Sequence, residues 1–209
     1  MGDRPTEPPI DCNLCPRLVK FRQHNKEKDP DWHNAPVPAF GTMDCTLLIV
    51  GLAPGLKGAN RTGRPFTGDY AGDLLYPTLL KFGWAKGAYK QAKNDAIKLQ
   101  KCRVTNAVRC VPPENKPIGA EQASCREFLA DEIAALPSLK TILALGRIAH
   151  TAVVKALGLK LSIYPFTHGA KQNLPNGMIL TDSYHCSRYN VNTGRLTSEM
   201  FEAVLRKIS

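Results

Sequence analysis

The stretch Thr46-Leu47-Leu48-Ile49-Val50-Gly51-Leu52-Ala53-Pro54 decides the fold. It is a short apolar run halted by glycine and proline, too short for a core helix and suited to a strand covered on both faces. Three similar runs follow at Arg103–Cys110, Thr141–Leu145 and Met178–His185. Between and after them lie segments with helical spacing. Ala71–Phe82 repeats Leu74, Leu75, Leu79 and Phe82; Gly119–Leu136 is closed by Pro137; Arg147–Leu157 and Thr197–Ile208 complete the set. Strands alternating with helices predict an α/β protein of three layers, α/β/α, around a central four-stranded, mostly parallel sheet.

Ligands of such sheets bind beyond the carboxyl ends of the strands. Three segments therefore share one rim: Gly51–Asp69, Asn106–Lys116 and His185–Asn190. Outward from the core, residues 1–45 are polar, Pro-rich and basic. They read as an irregular extension packed on a single domain spanning 46–209. Trp84–Lys101, if helical, would put Lys86, Lys90, Lys93, Lys98 and Lys101 on one side of the wheel. Gly83 and Gly87 weaken that helix, and a solvated lysine face is its ordinary meaning.

Lys plus Arg number 28 against 18 Asp plus Glu, a net charge of +10, which favours a polyanionic partner and nucleic acid first. No targeting pattern opens the chain, and no apolar run approaches the roughly 20 residues of a spanning helix. The expectation is a cytoplasmic protein without membrane association. Seven cysteines in a chain of 209 residues are then better read as ligands or reactive thiols than as disulfides.

Cys12 and Cys15 form a C-x-x-C pair followed by Pro16, and Cys110 and Cys125 supply a looser second pair. Four thiolates suit a tetrahedral zinc or a cubane iron–sulfur cluster, and the loose second pair favours the cluster. A dithiol redox motif and buried thiols are the competing explanations. Cys45, Cys102 and Cys186 sit among strand residues and read as core, although spacing leaves Cys102 open as a rival to Cys110.

The rim segment after the first strand is glycine-dense without being a P-loop or a dinucleotide fingerprint. Its Gly51 and Leu52 let backbone approach a flat ligand, and Phe66 is a candidate stacking ring or a core plug. Together, C-P-R-L at Cys15–Leu18, G-L-A-P-G at Gly51–Gly55, N-R-T-G-R-P-F-T-G-D at Asn60–Asp69, T-N-A-V-R-C-V-P-P-E-N-K-P at Thr105–Pro117 and H-C-S-R-Y-N-V-N-T-G-R-L-T at His185–Thr197 resemble the uracil-DNA glycosylase superfamily. More narrowly they resemble its family 5, whose enzymes carry a 4Fe–4S cluster. The resemblance runs from Cys12 to the last helix.

It implies a glycosylase that removes uracil from DNA to start base excision repair, as a monomer. Bulkier deaminated bases such as hypoxanthine or xanthine are further expected substrates. Cys12, Cys15, Cys110 and Cys125 become the cluster ligands and Phe66 the stacking ring. Ser187, Arg188 and Tyr189 belong to a loop pressed into the minor groove. The best-known members of the superfamily have aspartate where Ala53 stands and tyrosine where Gly55 stands. Family 4 has glutamate at Leu52.

Breaking an N-glycosidic bond builds positive charge on the sugar and negative charge on the base. His185 is the candidate donor to a base carbonyl, and Asp69 the candidate for orienting or deprotonating water, with helix N-capping as its competing role. Asn115 is a second candidate for positioning water. Asn106, at the rim end of its strand, can read the amide edge of uracil. A non-catalytic iron–sulfur module that binds nucleic acid and a zinc nucleotide hydrolase are the alternatives.

Overall fold

The structure is a computed structural model and describes residues 7–208. The first six residues of the expected N-terminal extension lie outside the described residues. In chain order the elements are α1 (Pro16–Lys28), β1 (Phe40–Gly41), β2 (Leu47–Gly51), α2 (Ala59–Thr62), α3 (Tyr70–Lys81), β3 (Ala85–Lys86), β4 (Lys98–Leu99), β5 (Cys102–Asn106), a 3-10 turn at Pro113–Asn115, α4 (Gly119–Ala134), β6 (Thr141–Leu145), α5 (Arg147–Ala156), β7 (Lys171–Asn173), β8 (Ile179–Ser183), α6 (Arg188–Asn192) and α7 (Ser198–Ile208).

The four expected strands are present and pair in parallel in the order β5-β2-β6-β8. The sheet nevertheless has six strands rather than four. Short β1 and β7 add antiparallel to its two edges, β1 on β5 and β7 on β8. In β2 the side chains alternate between two cores. Leu47 and Ile49 pack with Leu75 and Leu79 of α3 and Phe201 and Leu205 of α7. Leu48 and Val50 pack on the other face with Leu129 and Ile133 of α4 and Val153 of α5. Apolar burial on both faces is why the strand sequence is continuous rather than alternating.

The N-terminal segment is not irregular throughout. Pro16 starts α1, where its missing N–H costs nothing. The buried residues of α1 are Leu18, Arg22 and Asn25, so a helix with little apolar character is held by specific partners. Trp84–Lys101 is not a helix either. It runs through β3 and β4, an antiparallel pair, with a strap between them.

Two arginines tie the sheet to α4 and to the N-terminal segment. Arg103 Nε reaches Glu132 Oε1 at 2.7 Å and Arg109 Nη2 reaches Glu132 Oε2 at 2.5 Å. The same guanidinium groups hold Glu7, at 3.1 Å from Arg103 and 2.8 Å from Arg109. Glu132 is fully buried and Glu7 only partly so.

Candidate active site at the strand ends

Beyond the carboxyl ends of β2 and β8 opens a cavity of about 610 Å³. Asp69, Asn115, His185, Ser187, Arg188 and Leu52 all line it. Six residues singled out from separate parts of the sequence thus face one space.

Asp69 is the N-cap of α3 and accepts from the Gly72 N–H at 3.4 Å. The capping role weighed from sequence is therefore present, but the carboxylate also borders the cavity. Its Oδ2 lies over Gly55 and Gly58. A methyl at Gly55 would stand 2.9 Å from that oxygen, and one at Gly58 closer still. The space a tyrosine side chain would enter at Gly55 is taken by Asp69. Burial raises the Asp69 pKa from the ordinary carboxylate range, opposed by the Gly72 and Ala71 N–H groups.

Asn115 ends the 3-10 turn with φ 56, next to Glu114 at φ 54. Asparagine accepts this left-handed geometry better than most residues. His185 follows β8, and burial pushes its pKa down to about 4. The ring is a neutral imidazole at pH 7. It stands beside Phe66, ring centroids 6.0 Å apart and planes at 29°.

Phe66 and Asn106 do not line the open cavity. Phe66 is 5% exposed and Asn106 3%, and both crowd Gly51, where a Cβ would strike the Asn106 Oδ1 and the Phe66 ring. They form a buried group at the ends of β2 and β5, where Gly51 pairs in register with Asn106. Ser187 is the N-cap of α6, accepting from the Asn190 N–H at 3.4 Å, so the segment expected as a loop begins a short helix. Arg188 lies 5.4 Å over the Tyr70 ring, and Tyr189 is 72% exposed.

Sequence reading passed over Tyr70 and Lys57, which also line the cavity. An aromatic directly after the capping Asp69 was the available signal for the first. A second cavity of about 270 Å³ shares Leu52 and His185 and is walled by Arg147, Phe166, Tyr184 and Arg195. Arg147 and Arg195 lie over Phe166 and Tyr184 at 5.6 and 4.7 Å.

Cys12, Cys15, Cys110 and Cys125 line one apolar space with Leu18, Val19 and Phe128. Arg22 Nη1 donates to Cys110 Sγ at 3.5 Å and the Arg109 backbone N–H donates to Cys125 Sγ at 3.4 Å. Cys102 packs instead with Leu47 and Ile49 in the sheet core, which removes it as a rival. Cys45 and Cys186 are core residues as expected. Among the described residues no His, Cys, Asp or Glu group is closed tightly enough to grip a metal ion as it stands. The donor chemistry still fits one: four sulfurs, apolar walls and two N–H groups aimed at sulfur. Burial pushes Cys110 up to about 12, against the Arg22 cation, and raises Cys15 and Cys125.

Among the described residues no helix is long and apolar enough to cross a membrane. A three-layer sheet with a carboxylate, an amide and an imidazole facing one rim cavity defines a class of α/β proteins that take their ligand at the strand ends. The family model described as the uracil DNA glycosylase superfamily matches residues 38–209. A type-5 uracil-DNA glycosylase of Thermus thermophilus is 45% identical over 200 residues, 93% of this chain and 90% of that protein. The type-5 enzyme of Pyrobaculum aerophilum is 38% identical over 95% of this chain and 88% of its own. A type-4 uracil-DNA glycosylase of Sulfurisphaera tokodaii is 28% identical over 93% of this chain and 79% of its own. The chain belongs to the uracil-DNA glycosylase superfamily, in its type-5 branch.

Proposed function

We propose that the protein hydrolyses the N-glycosidic bond between uracil and deoxyribose in DNA, freeing the base and leaving an abasic site that starts base excision repair. The observation that carries this reading is the convergence of Asp69, Asn115 and His185 on one cavity. The curated relatives bear an enzyme's name, which weighs against a non-catalytic binding module.

The uracil nucleotide leaves the base stack, at a cost of a few kcal/mol, and its base enters beside Phe66. The amide of Asn106, buried with Phe66 behind the open cavity, reads the O4 and N3–H edge once the entering base parts the side chains in front of it. As the C1′–N1 bond breaks, its electron pair stays on the base, and the neutral His185 ring donates a hydrogen bond to the anion through a base carbonyl. Asp69 and Asn115 hold the water whose oxygen bonds to C1′. Asp69 takes its proton, so the carboxylate supplies the function that Ala53 lacks. The cavity of about 610 Å³ admits hypoxanthine or xanthine as well. Arg188 and Tyr189, with Ser187 capping their helix, fill the gap in the duplex, and the +10 charge meets the phosphates. The same reading has the protein act as a monomer in the cytoplasm.

Cys12, Cys15, Cys110 and Cys125 would hold a 4Fe–4S cluster. When bound, the cluster supplies a covalent tie between the N-terminal segment, the chain after β5 and α4. Protein purified without oxygen is expected to be brown, and Cys110→Ala to lose the visible absorption. A colourless parent containing zinc would overturn the assignment.

The function is tested by incubating the protein with a uracil-containing duplex and measuring free base. His185→Ala is expected to slow release about 10²–10³-fold, with binding to an abasic duplex retained. If the unaltered protein frees no base from uracil, hypoxanthine or xanthine duplexes, the reading fails.

A further inference from the structure

Phe66 sits at φ 51, a left-handed backbone that a bulky residue holds only where its surroundings impose it. Those surroundings come from the strap between β3 and β4, the stretch with the least legible sequence. The Tyr89 hydroxyl donates to the Phe66 carbonyl at 3.2 Å and accepts from the Gly68 N–H at 3.4 Å. Its ring rests on Tyr76 at 4.6 Å between centroids, and Tyr76 in turn donates to the Pro65 carbonyl at 2.6 Å. Asp95 anchors the strap by gripping Arg64 with both oxygens, at 2.8 and 2.9 Å, while accepting from the Lys90 and Ile97 N–H groups.

We propose that Tyr89 is a positioning residue for base release: its hydroxyl joins the peptide groups of Phe66 and Gly68, fixing the ring beside the base and the Asp69 carboxylate in one relative geometry. The inference rests on the roles given above to Phe66 and Asp69. Gly68 immediately precedes Asp69, so the bridge ends one peptide from the carboxylate. No atom of Tyr89 lines the cavity, so its influence passes through the loop. Burial pushes the Tyr89 pKa up to about 12, and the hydroxyl keeps its proton throughout any practical assay.

Tyr89→Phe separates this role from packing. The ring stays on Tyr76 and the Asp95–Arg64 anchor is untouched, while the bridge disappears. Displacements of about 1 Å near reacting groups cost up to about 10²-fold in rate. The expected result is a single-turnover rate about 10-fold lower on a uracil duplex, with Tm and affinity for an abasic duplex unchanged. Amide exchange at Gly68 should be about 10-fold faster, since its acceptor is gone. A rate within twofold of the parent overturns the proposal, as does unchanged Gly68 exchange or a rate loss matched by a fall in Tm. A parent that frees no uracil overturns the proposed function instead, and Gly68 exchange then decides alone whether Tyr89 holds the loop.

Discussion

Asp69→Asn is expected to slow uracil release about 10²–10⁴-fold while leaving the fold intact, the range a positioned general base contributes. Asparagine is the informative replacement because Asp69 does two things. It caps α3 through the Gly72 N–H, and asparagine caps a helix as well as aspartate does. Asp69→Ala removes the cap as well, so it should lose a further ~1 kcal/mol of stability that Asp69→Asn keeps. The pH profile separates the groups at the site. Burial raises the Asp69 pKa, so in the parent the rate should rise with pH as the carboxylate ionises above its ordinary range. His185, pushed down to about 4, is neutral at pH 7 and keeps its ring N–H through the working range. Asp69→Asn should therefore flatten the acid limb. A steep limb surviving in Asp69→Asn, or a rate within tenfold of the parent, would reassign the base. Gly55 belongs to the same argument, since any side chain there would meet the Asp69 Oδ2.

Which parts of the molecule could be read in advance follows from what each residue is paired with. β2, β5, β6 and β8 are buried at nearly every position, so burial wrote itself into continuous runs. β1 and β7 are two and three residues long, and only pairing with a neighbour makes them strands. α1 escaped because two of its three buried residues are polar. Arg22 is inside because it bonds Cys110 Sγ and, at 2.6 Å, the Cys12 carbonyl, and no periodicity encodes that. The lysines of Trp84–Lys101 imitate a helical face, yet Gly83 at positive φ turns the chain before β3, and the strap is shaped by Gly87 at positive φ and by the Asp95 carboxylate. At the site, Asp69, Asn115 and His185 were legible as polar residues on one rim. Phe66 was legible as a core plug or a stacking ring, and it is buried; the burial of Asn106 against Gly51 was not, because it depends on two strands ending in register.

The second large effect lies away from the cavity. Glu132→Ala is expected to destabilise the protein by about 3–5 kcal/mol, the usual consequence of stripping one partner from a buried ion pair. Arg103 and Arg109 are both almost fully buried, and Glu132 is their one fully buried partner among the described residues. Without it, the carboxylate left to the two guanidinium groups among the described residues is the partly exposed Glu7, with Arg103 also donating to the Gly41 carbonyl at 3.0 Å. The corresponding fall in Tm is roughly 6–20 °C for a chain of this size. Glu7→Ala should cost far less, about 1 kcal/mol, because Glu132 still neutralises the arginines and water reaches the Glu7 side. The contrast is the test, read by thermal or urea unfolding of the two variants side by side. Equal losses would mean that the arginines are solvated when Glu132 leaves. The loss should also reach the four cysteines. Arg109 directly precedes Cys110, and its N–H donates to Cys125 Sγ, so a displaced Arg109 pulls on two of the four proposed ligands at once. Glu132→Ala should therefore lose visible absorption faster than Glu7→Ala under the same oxidative challenge. An identical decay in both would uncouple the buried ion network from the cysteine site.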